Sequence, residues 1–252
     1  MSRLTEDLVN PAAKYFTWDG VNGCFEYFDK TQKTETVKGV NVPVPLPFRF
    51  LFLEKLSSIR GYNDDEKSGY YSNEVLDINK EVMAVRLKRG VVAQGLYKEV
   101  IDAKTTRGSK YCQSVYIAYK EGDKMIICNL QLVGAAVSAW IEFCKGNDIK
   151  KGAIAVETSL DKKKGTNNYK EPVFKKIKST PESEESANVL CAELDKYLKA
   201  YLSKTQGDLS DNRIVEHVEA SQPVAETKAQ TPVRQVPKEE VFVADDSEDV
   251  AF

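Results

Sequence analysis

Histidine is almost absent from this chain, which contains a single one, His217, among its 252 residues. The five cysteines are widely scattered, and none of them forms a Cys-x-x-Cys pair. The ligand spacing of a zinc site is therefore missing, and one histidine is too few for a multi-histidine metal centre. A histidine-dependent catalytic triad is equally disfavoured. We expect no metal site, and we expect buried free thiols in a reducing compartment.

Long apolar segments are also missing. No run approaches the ~18 residues of a membrane-spanning helix, and the first ten residues contain no apolar core of a secretory signal. We therefore expect a cytoplasmic protein with no membrane partner. Glycine-rich nucleotide-binding loops, zinc-protease motifs and calcium loops are absent as well. These absences predict a protein that is not an enzyme and that needs no cofactor.

The net charge of −2 conceals a strong separation of charge along the sequence. Residues 86–178 contain 19 Lys and Arg against 9 Asp and Glu, which gives a net charge of +10. Residues 204–252 contain 5 against 11, which gives a net charge of −6. A basic middle favours a polyanionic partner, and an acidic end favours a basic one.

The first 180 residues have the pattern of a β-rich domain, because aromatic and β-branched residues cluster in short runs between Gly, Asn and Asp. The predicted strands are Tyr15–Trp18, Cys24–Phe28, Glu35–Val42, Leu46–Leu53, Ser57–Tyr62, Val82–Lys88, Tyr111–Lys120, Lys124–Val133, Ala153–Leu160 and Val173–Ile177. The turn at Gly122 predicts a hairpin over Tyr111–Val133. The prolines of Val42–Pro47 predict an extended edge or connection.

Two helices are predicted within this pattern. Ala135–Lys145 has one apolar face at helical spacing and is followed by Gly146, a suitable stop. Pro181–Ser203 begins after Thr180, a suitable cap, and has glutamates in its first turn. The predicted fold class is therefore mainly β, of the α+β type.

Residues 205–244 contain scattered apolar residues, three prolines and no usable period, which predicts a disordered linker. An acidic tip follows at residues 245–252, where carboxylates precede an apolar end. We predict that the tip docks partner proteins, with the aromatic ring in a hydrophobic slot and the carboxylates on Arg or Lys. Its predicted partner-binding residues are Asp245, Asp246, Glu248, Asp249 and Phe252. The alternative is a merely solubilising acidic tail.

This tip resembles the acidic end of bacterial single-stranded DNA-binding proteins, which finish with several Asp and then Ile-Pro-Phe. Here Val250-Ala251-Phe252 stands in that place. Phage counterparts likewise often end in an acidic run and an aromatic residue. The resemblance implies recruitment of replication proteins such as a polymerase, helicase or nuclease.

The basic middle supplies candidate DNA contacts. Arg86, Lys88 and Arg89 close one predicted strand, and Arg107 and Lys110 mark a polar loop before the next. On that next strand, alternation places Ser114, Tyr116 and Lys120 on one face. Tyr116 is predicted to stack a base and Lys120 to pair with a phosphate. The alternative is an ordinary half-exposed strand.

A second basic segment, Asp161–Tyr169, is predicted as a long loop between two strands. Its candidate DNA contacts, with those of the strand that follows, are Lys162, Lys163, Lys164, Tyr169, Phe174 and Lys175. Basic loops that frame an open barrel face are how OB-folds follow a nucleic-acid backbone. A merely solvated loop is the alternative.

The order of hairpin, short helix, strand, Lys-rich loop and aromatic strand resembles phage OB-fold single-stranded DNA-binding proteins. The resemblance implies an OB-fold-like, partly open barrel with an inserted helix and a C-terminal helix over residues 1–204. It also implies a host cytoplasmic location if the chain is of phage origin.

The sequence therefore predicts a sequence-independent single-stranded DNA-binding protein for DNA replication, recombination and repair. Two other interpretations stay open. One is a structural or scaffolding protein with a β-rich head and an acidic assembly tail, and the other is an enzyme with an unrecognised site. Homo-oligomerisation also stays open.

Overall fold

The computed structural model describes residues 9–32 and 39–219, with side chains to residue 209. Its strands form one curved sheet. The strands are β1 (Lys14–Asp19), β2 (Cys24–Asp29), β3 (Val40–Val44), β4 (Phe48–Asn63), β5 (Ser68–Ser72), β6 (Met83–Leu87), β7 (Gly90–Gly95), β8 (Ser109–Glu121), β9 (Lys124–Val133), β10 (Ala153–Lys164) and β11 (Asn167–Ile177). The helices are α1 (Tyr97–Ile101), α2 (Gly134–Gly146) and α3 (Pro181–Glu219).

The sheet divides at β4. Its main path runs β3-β2-β1-β9-β8-β4-β5-β6-β7. On the side of β4 away from β8, the first residues pair with β10 and the last residues pair with β5. β11 then pairs with β10. Among the described strands no ladder joins β3 to β7 or to β11, so the sheet is open. The mainly β fold class with a few helices is confirmed.

Two apolar cores lie on opposite faces of the central strands. On one face Phe16, Phe25 and Phe48 pack with Trp140 of α2, which covers one end of the curved sheet. On the other face α3 packs its Leu194 and Leu198 onto β4, β8 and β9. A third cluster joins β5, β6 and the end of β4 to α1. The central strands are therefore buried on both sides.

Several predicted elements are confirmed. β8 and β9 form the hairpin that turns at Gly122, and α2 closely matches the predicted helix. β3 is an edge strand that contains Pro43. The predicted strands Leu46–Leu53 and Ser57–Tyr62 are one strand, β4, with a bulge between Phe52 and Glu54. β5, β7 and α1 were not predicted, because they are short and carry weak patterns.

The C-terminal helix is longer than the sequence predicts. α3 continues to Glu219, and Leu209 packs with Val82 and Ala84. Gln206 accepts a hydrogen bond from the Val82 N–H at 3.1 Å. The prediction that a linker begins at residue 205 is therefore wrong for residues 205–219. The remaining linker and the acidic tip lie outside the described residues.

The thiols match the expectation in part. Cys112 and Cys128 are buried, and burial raises their pKa values to about 11 and about 12. Cys24 and Cys144 are half-buried, and Cys191 is exposed on α3. None of the described helices is long and apolar enough to cross a bilayer.

Leu194→Ala tests whether α3 is an integral part of the core. Leu194 is 1% exposed beneath the helix, so the truncation should lower the free energy of unfolding by about 2–5 kcal/mol. Val189→Ala, at a position of the same helix that is 66% exposed, is the matched control. Urea unfolding measures both, and equal effects would contradict this packing.

Candidate nucleic-acid interface

β10 and β11 extend past the rest of the sheet as a two-stranded arm. β10 pairs with β4 over Ile154–Val156, and the arm is the part beyond this ladder, residues 158–164 of β10 and 167–173 of β11. Its two strands turn at Gly165, whose φ of +61° suits glycine. The sequence prediction of a long loop is therefore wrong, since the lysines lie in strand β10.

The register assigns the lysines of the arm to two faces. Lys162 is opposite Tyr169, and Lys164 is opposite Asn167. Directly opposite residues in an antiparallel pair share a face. Lys162, Lys164 and Tyr169 are therefore on one face, whereas Lys163 is on the other. The three lysines are exposed and Tyr169 is half-buried.

The turn between β1 and β2 holds the base of the arm. The Lys170 N–H donates to the Gly20 carbonyl at 2.7 Å, and Trp18 Nε1 donates to the Lys170 carbonyl at 2.8 Å. Gly23 has a φ of +75°, and a Cβ there would lie 2.6 Å from Lys170 Cδ and 2.8 Å from Ser159 Oγ. This close packing fixes the position of the arm.

A cleft of about 830 Å³ lies beside the arm. Its lining joins the arm to the turn after β1, to the start of α2 and to the start of β8. The lining residues are Trp18, Gly20, Lys110, Val133, Gly134, Ala135, Ala136, Ser138, Lys164, Asn167, Tyr169, Lys170 and Glu171. The first turn of α2 has no side-chain cap, so its N–H groups add positive potential.

Much of the positive charge around the cleft has no partner. Lys110 and Lys164 form no ion pair within the part of the chain that the structure describes. The pairs Lys162–Glu171 and Lys170–Asp161 are long, at 3.8 and 3.9 Å. Exposed pairs of this kind contribute little energy. The cleft therefore presents free ammonium groups beside a tyrosine ring, which suits phosphates and bases.

Tyr116 lies outside this site. It is fully buried beneath α3, and its hydroxyl donates to Glu74 Oε2 at 2.8 Å. Burial and the neighbouring Glu74 carboxylate raise its pKa. The prediction that Tyr116 stacks a base is wrong. The predicted alternation of side chains between the two faces of β8 is correct, but α3 covers the face that was expected to be exposed to solvent.

Phe174 is buried as well. Its ring packs against Trp140 and Phe143 of α2, with centroids 5.1 and 5.9 Å away. It belongs to the core, so its predicted role as a DNA contact is also wrong. Its neighbour Lys175 is exposed at the base of β11 and pairs with Glu157 at 3.4 Å.

The other predicted contacts are spread over the surface. Lys120 lies at the far end of β8 from Lys110, about 34 Å away at 3.4 Å per residue. Arg89 is exposed and pairs with Glu66 at 2.9 Å. Lys88 lies beside it, and Arg107 precedes β8; both are exposed. Of the predicted contacts, only Lys110, Lys164 and Tyr169 line the cleft.

Sequence reasoning missed Trp18 and Lys170. Trp18 lies far from the basic segment in sequence, so only the fold brings it to the cleft. Lys170 follows Tyr169 directly, and its place at the end of the charged run is the signal in the sequence that points to it.

No protein-family model, curated protein or solved structure matches this chain. The described residues contain no group of three or more His, Cys, Asp or Glu side chains that could hold a metal ion.

Lys162 and Lys164 should matter more for binding to oligo(dT) than Lys163, because they share a face with Tyr169. The double change of Lys162 and Lys164 to Ala should weaken affinity and lower the salt dependence by about 0.7 per lost phosphate contact. Tyr169→Ala should cost about 1–3 kcal/mol of binding energy if the ring stacks a base.

Lys163→Ala is the matched control, since it removes the same charge from the opposite face of the same strand. Fluorescence titration measures all variants, with circular dichroism to check folding. Lys164→Ala alone is measured beside it, and an effect of Lys163→Ala that equals that of Lys164→Ala would contradict the assignment of the cleft face.

Proposed function

We propose that this protein binds single-stranded DNA without sequence preference. The observation that carries the proposal is the cleft in which Lys110 and Lys164 lie beside Tyr169 without an ion-pair partner among the described residues. The lysines would neutralise phosphates and the tyrosine would stack a base. Stacking tolerates any sequence because every base has a π-face.

The shape of the site favours a single strand over a duplex. Tyr169 reaches the face of a base only where that base is not already stacked between two others. Reading duplex DNA in its major groove commonly uses an exposed helix. The one cation of α2, Lys145, is paired with Glu142 at 2.9 Å, so this helix offers no free positive charge to a groove. The cleft is bounded by its first turn and by the arm, so an extended strand fits better.

We also propose that the curved sheet is an OB-fold-like, partly open barrel. Support comes from α2, which covers one end of the core, and from the hydrogen bond between the β1–β2 turn and Lys170, which draws the arm towards the first strands. Arms and loops around an open barrel are the elements with which OB-folds follow a nucleic-acid backbone.

The cellular role proposed here is DNA replication, recombination and repair. The acidic tip, with Asp245, Asp246, Glu248, Asp249 and Phe252, would recruit a polymerase, helicase or nuclease. The support for this part is the sequence of the tip alone, since residues 245–252 lie outside the described residues.

The decisive measurement is titration of the full-length protein with fluorescent oligo(dT) and with a duplex of the same length at several salt concentrations. We expect much tighter binding to the single strand. The logarithm of affinity should fall linearly with the logarithm of salt, because phosphate binding releases counterions. Equal affinity for the duplex, or no dependence on salt, would contradict the proposal and favour the scaffolding alternative.

Deletion of residues 245–252 should tighten binding to oligo(dT), mainly at low salt. The four carboxylates of the tip compete with phosphate for the basic cleft, and salt screens this attraction. Phe252→Ala retains those charges, so it should lose a replication partner in a pull-down while DNA affinity stays unchanged. Weaker DNA binding after the deletion would exclude competition by the tip.

A further inference from the structure

A row of basic and aromatic side chains crosses four strands at the far end of β4 from its ladder with β10. Lys110 of β8 is opposite Arg60 of β4, Arg60 is opposite Tyr71 of β5, and Tyr71 is opposite Arg86 of β6. Directly opposite residues share a face. The four residues therefore form one row, which we call the sheet row.

The sheet row lies on the same face of the sheet as α3 but beyond the area that α3 covers. Tyr70, the neighbour of Tyr71, points to the opposite face and packs in the cluster with α1. On β6, Ala84 has the same orientation as Arg86 and packs with Leu209 of α3. The helix thus borders the row and leaves Tyr71 43% exposed.

The positive charges of the sheet row favour the binding of an anion. Lys110 and Arg60 are like charges directly opposite each other, an arrangement that is destabilising by itself. Within the described residues, neither they nor Arg86 form an ion pair. The Arg60 Nε is buried and has no hydrogen-bond partner among these residues. The Glu74 carboxylate on this face accepts hydrogen bonds from Ser114 and Tyr116. Neighbouring cations that form no ion pair are typical of a phosphate-binding surface.

The aromatic rings of this surface are available for stacking. Tyr62 lies two residues after Arg60 on the same face of β4, because alternate residues along a strand share a face. It is 53% exposed. Exposed tyrosines between cations provide ring faces for bases and charges for phosphates on one surface. Phe28 on β2 is also exposed, but strand Cys24–Asp29 contains no Lys or Arg, and the residue opposite Phe28 on β3 is Asn41.

We propose that the sheet row is a second contact surface for single-stranded DNA, continuous with the cleft through Lys110. Lys110 lines the cleft together with Lys164 and Tyr169, and it is also the first residue of the row. The strand would therefore follow one path, from the arm over Lys110 to Tyr71 and Arg86. This inference extends the proposed function and rests on it.

The path has a length that a binding experiment can resolve. Four neighbouring strands at about 4.8 Å spacing make the row about 14 Å wide. Along the proposed path, the strand passes the arm residues Lys162 to Lys164 and then the cleft before it reaches the row. A strand that occupies both surfaces must be longer than one that occupies the cleft alone, within the roughly 4–16 nucleotides that single OB-folds cover.

The test compares Tyr71→Ala and Arg86→Gln with Phe28→Ala in the full-length protein. Phe28 is the matched control, because it is 53% exposed but lies on β2, away from the row. With oligo(dT) of about 12 nucleotides, each row variant should lose about fivefold or more in affinity, and Phe28→Ala should lose nothing. With about 4 nucleotides, which the cleft alone accommodates, the row variants should bind like the parent protein.

A cross-linking experiment tests the continuity of the path. The same longer oligonucleotide carries a photoreactive group at its 5′ or at its 3′ end. One continuous path fixes the polarity of the strand, so one label should cross-link to peptides of the arm and the other to peptides of β5 and β6. If each label cross-links equally to the arm and to β5 and β6, the single path is wrong.

The outcomes separate this inference from the proposed function. If the parent protein binds oligo(dT) but the row variants match Phe28→Ala at both lengths, the sheet row is not a contact surface, and the cleft proposal stands. If the parent protein does not bind oligo(dT), both proposals fall. Thermal unfolding of each variant confirms that a lost affinity is not a lost fold.

Discussion

The ladder between β4 and β8 is the interaction on which the rest of the structure depends. It runs from Phe50 and Tyr119 to Gly61 and Ser109, and it carries apolar cores on both faces. Along its other edge, β4 supports two separate extensions of the sheet, β10–β11 at one end and β5–β7 at the other. The cleft and the sheet row are therefore both held by β8 and β4, with Lys110 at their junction.

The sequence predicted the parts of this fold whose signals are local. The β8–β9 hairpin follows from alternating apolar residues around Gly122, and the start of α3 follows from Thr180 and Pro181. The long helix after them was expected to end at Ser203, because residues 204–213 contain one apolar residue, Leu209, and so give no helical period. Its contact with Val82 and Ala84 depends on tertiary structure, which a local pattern does not contain.

The candidate site was predictable in composition but not in arrangement. The cluster of lysines at 162–164 and the neighbouring Tyr169 were visible as a basic aromatic segment. The burial of Tyr116 was not, because a strand with alternating residues looks the same whether a helix covers its second face or leaves it open. Arg60 and Tyr71 come from segments with no notable charge pattern, so only the register of β4, β5 and β6 brings them together.

The lysines of the arm have a consequence for the behaviour of the protein in concentrated solution. Beyond Val156, β10 has β11 on one side and no strand of the described chain on the other, so its backbone N–H and C=O groups form an open edge. Such edges readily add a strand from another molecule and start aggregation. A run of lysines opposes this, since two copies would have to bring like charges together. The lysines proposed to bind phosphates thus also keep the exposed edge of each molecule from pairing with the next.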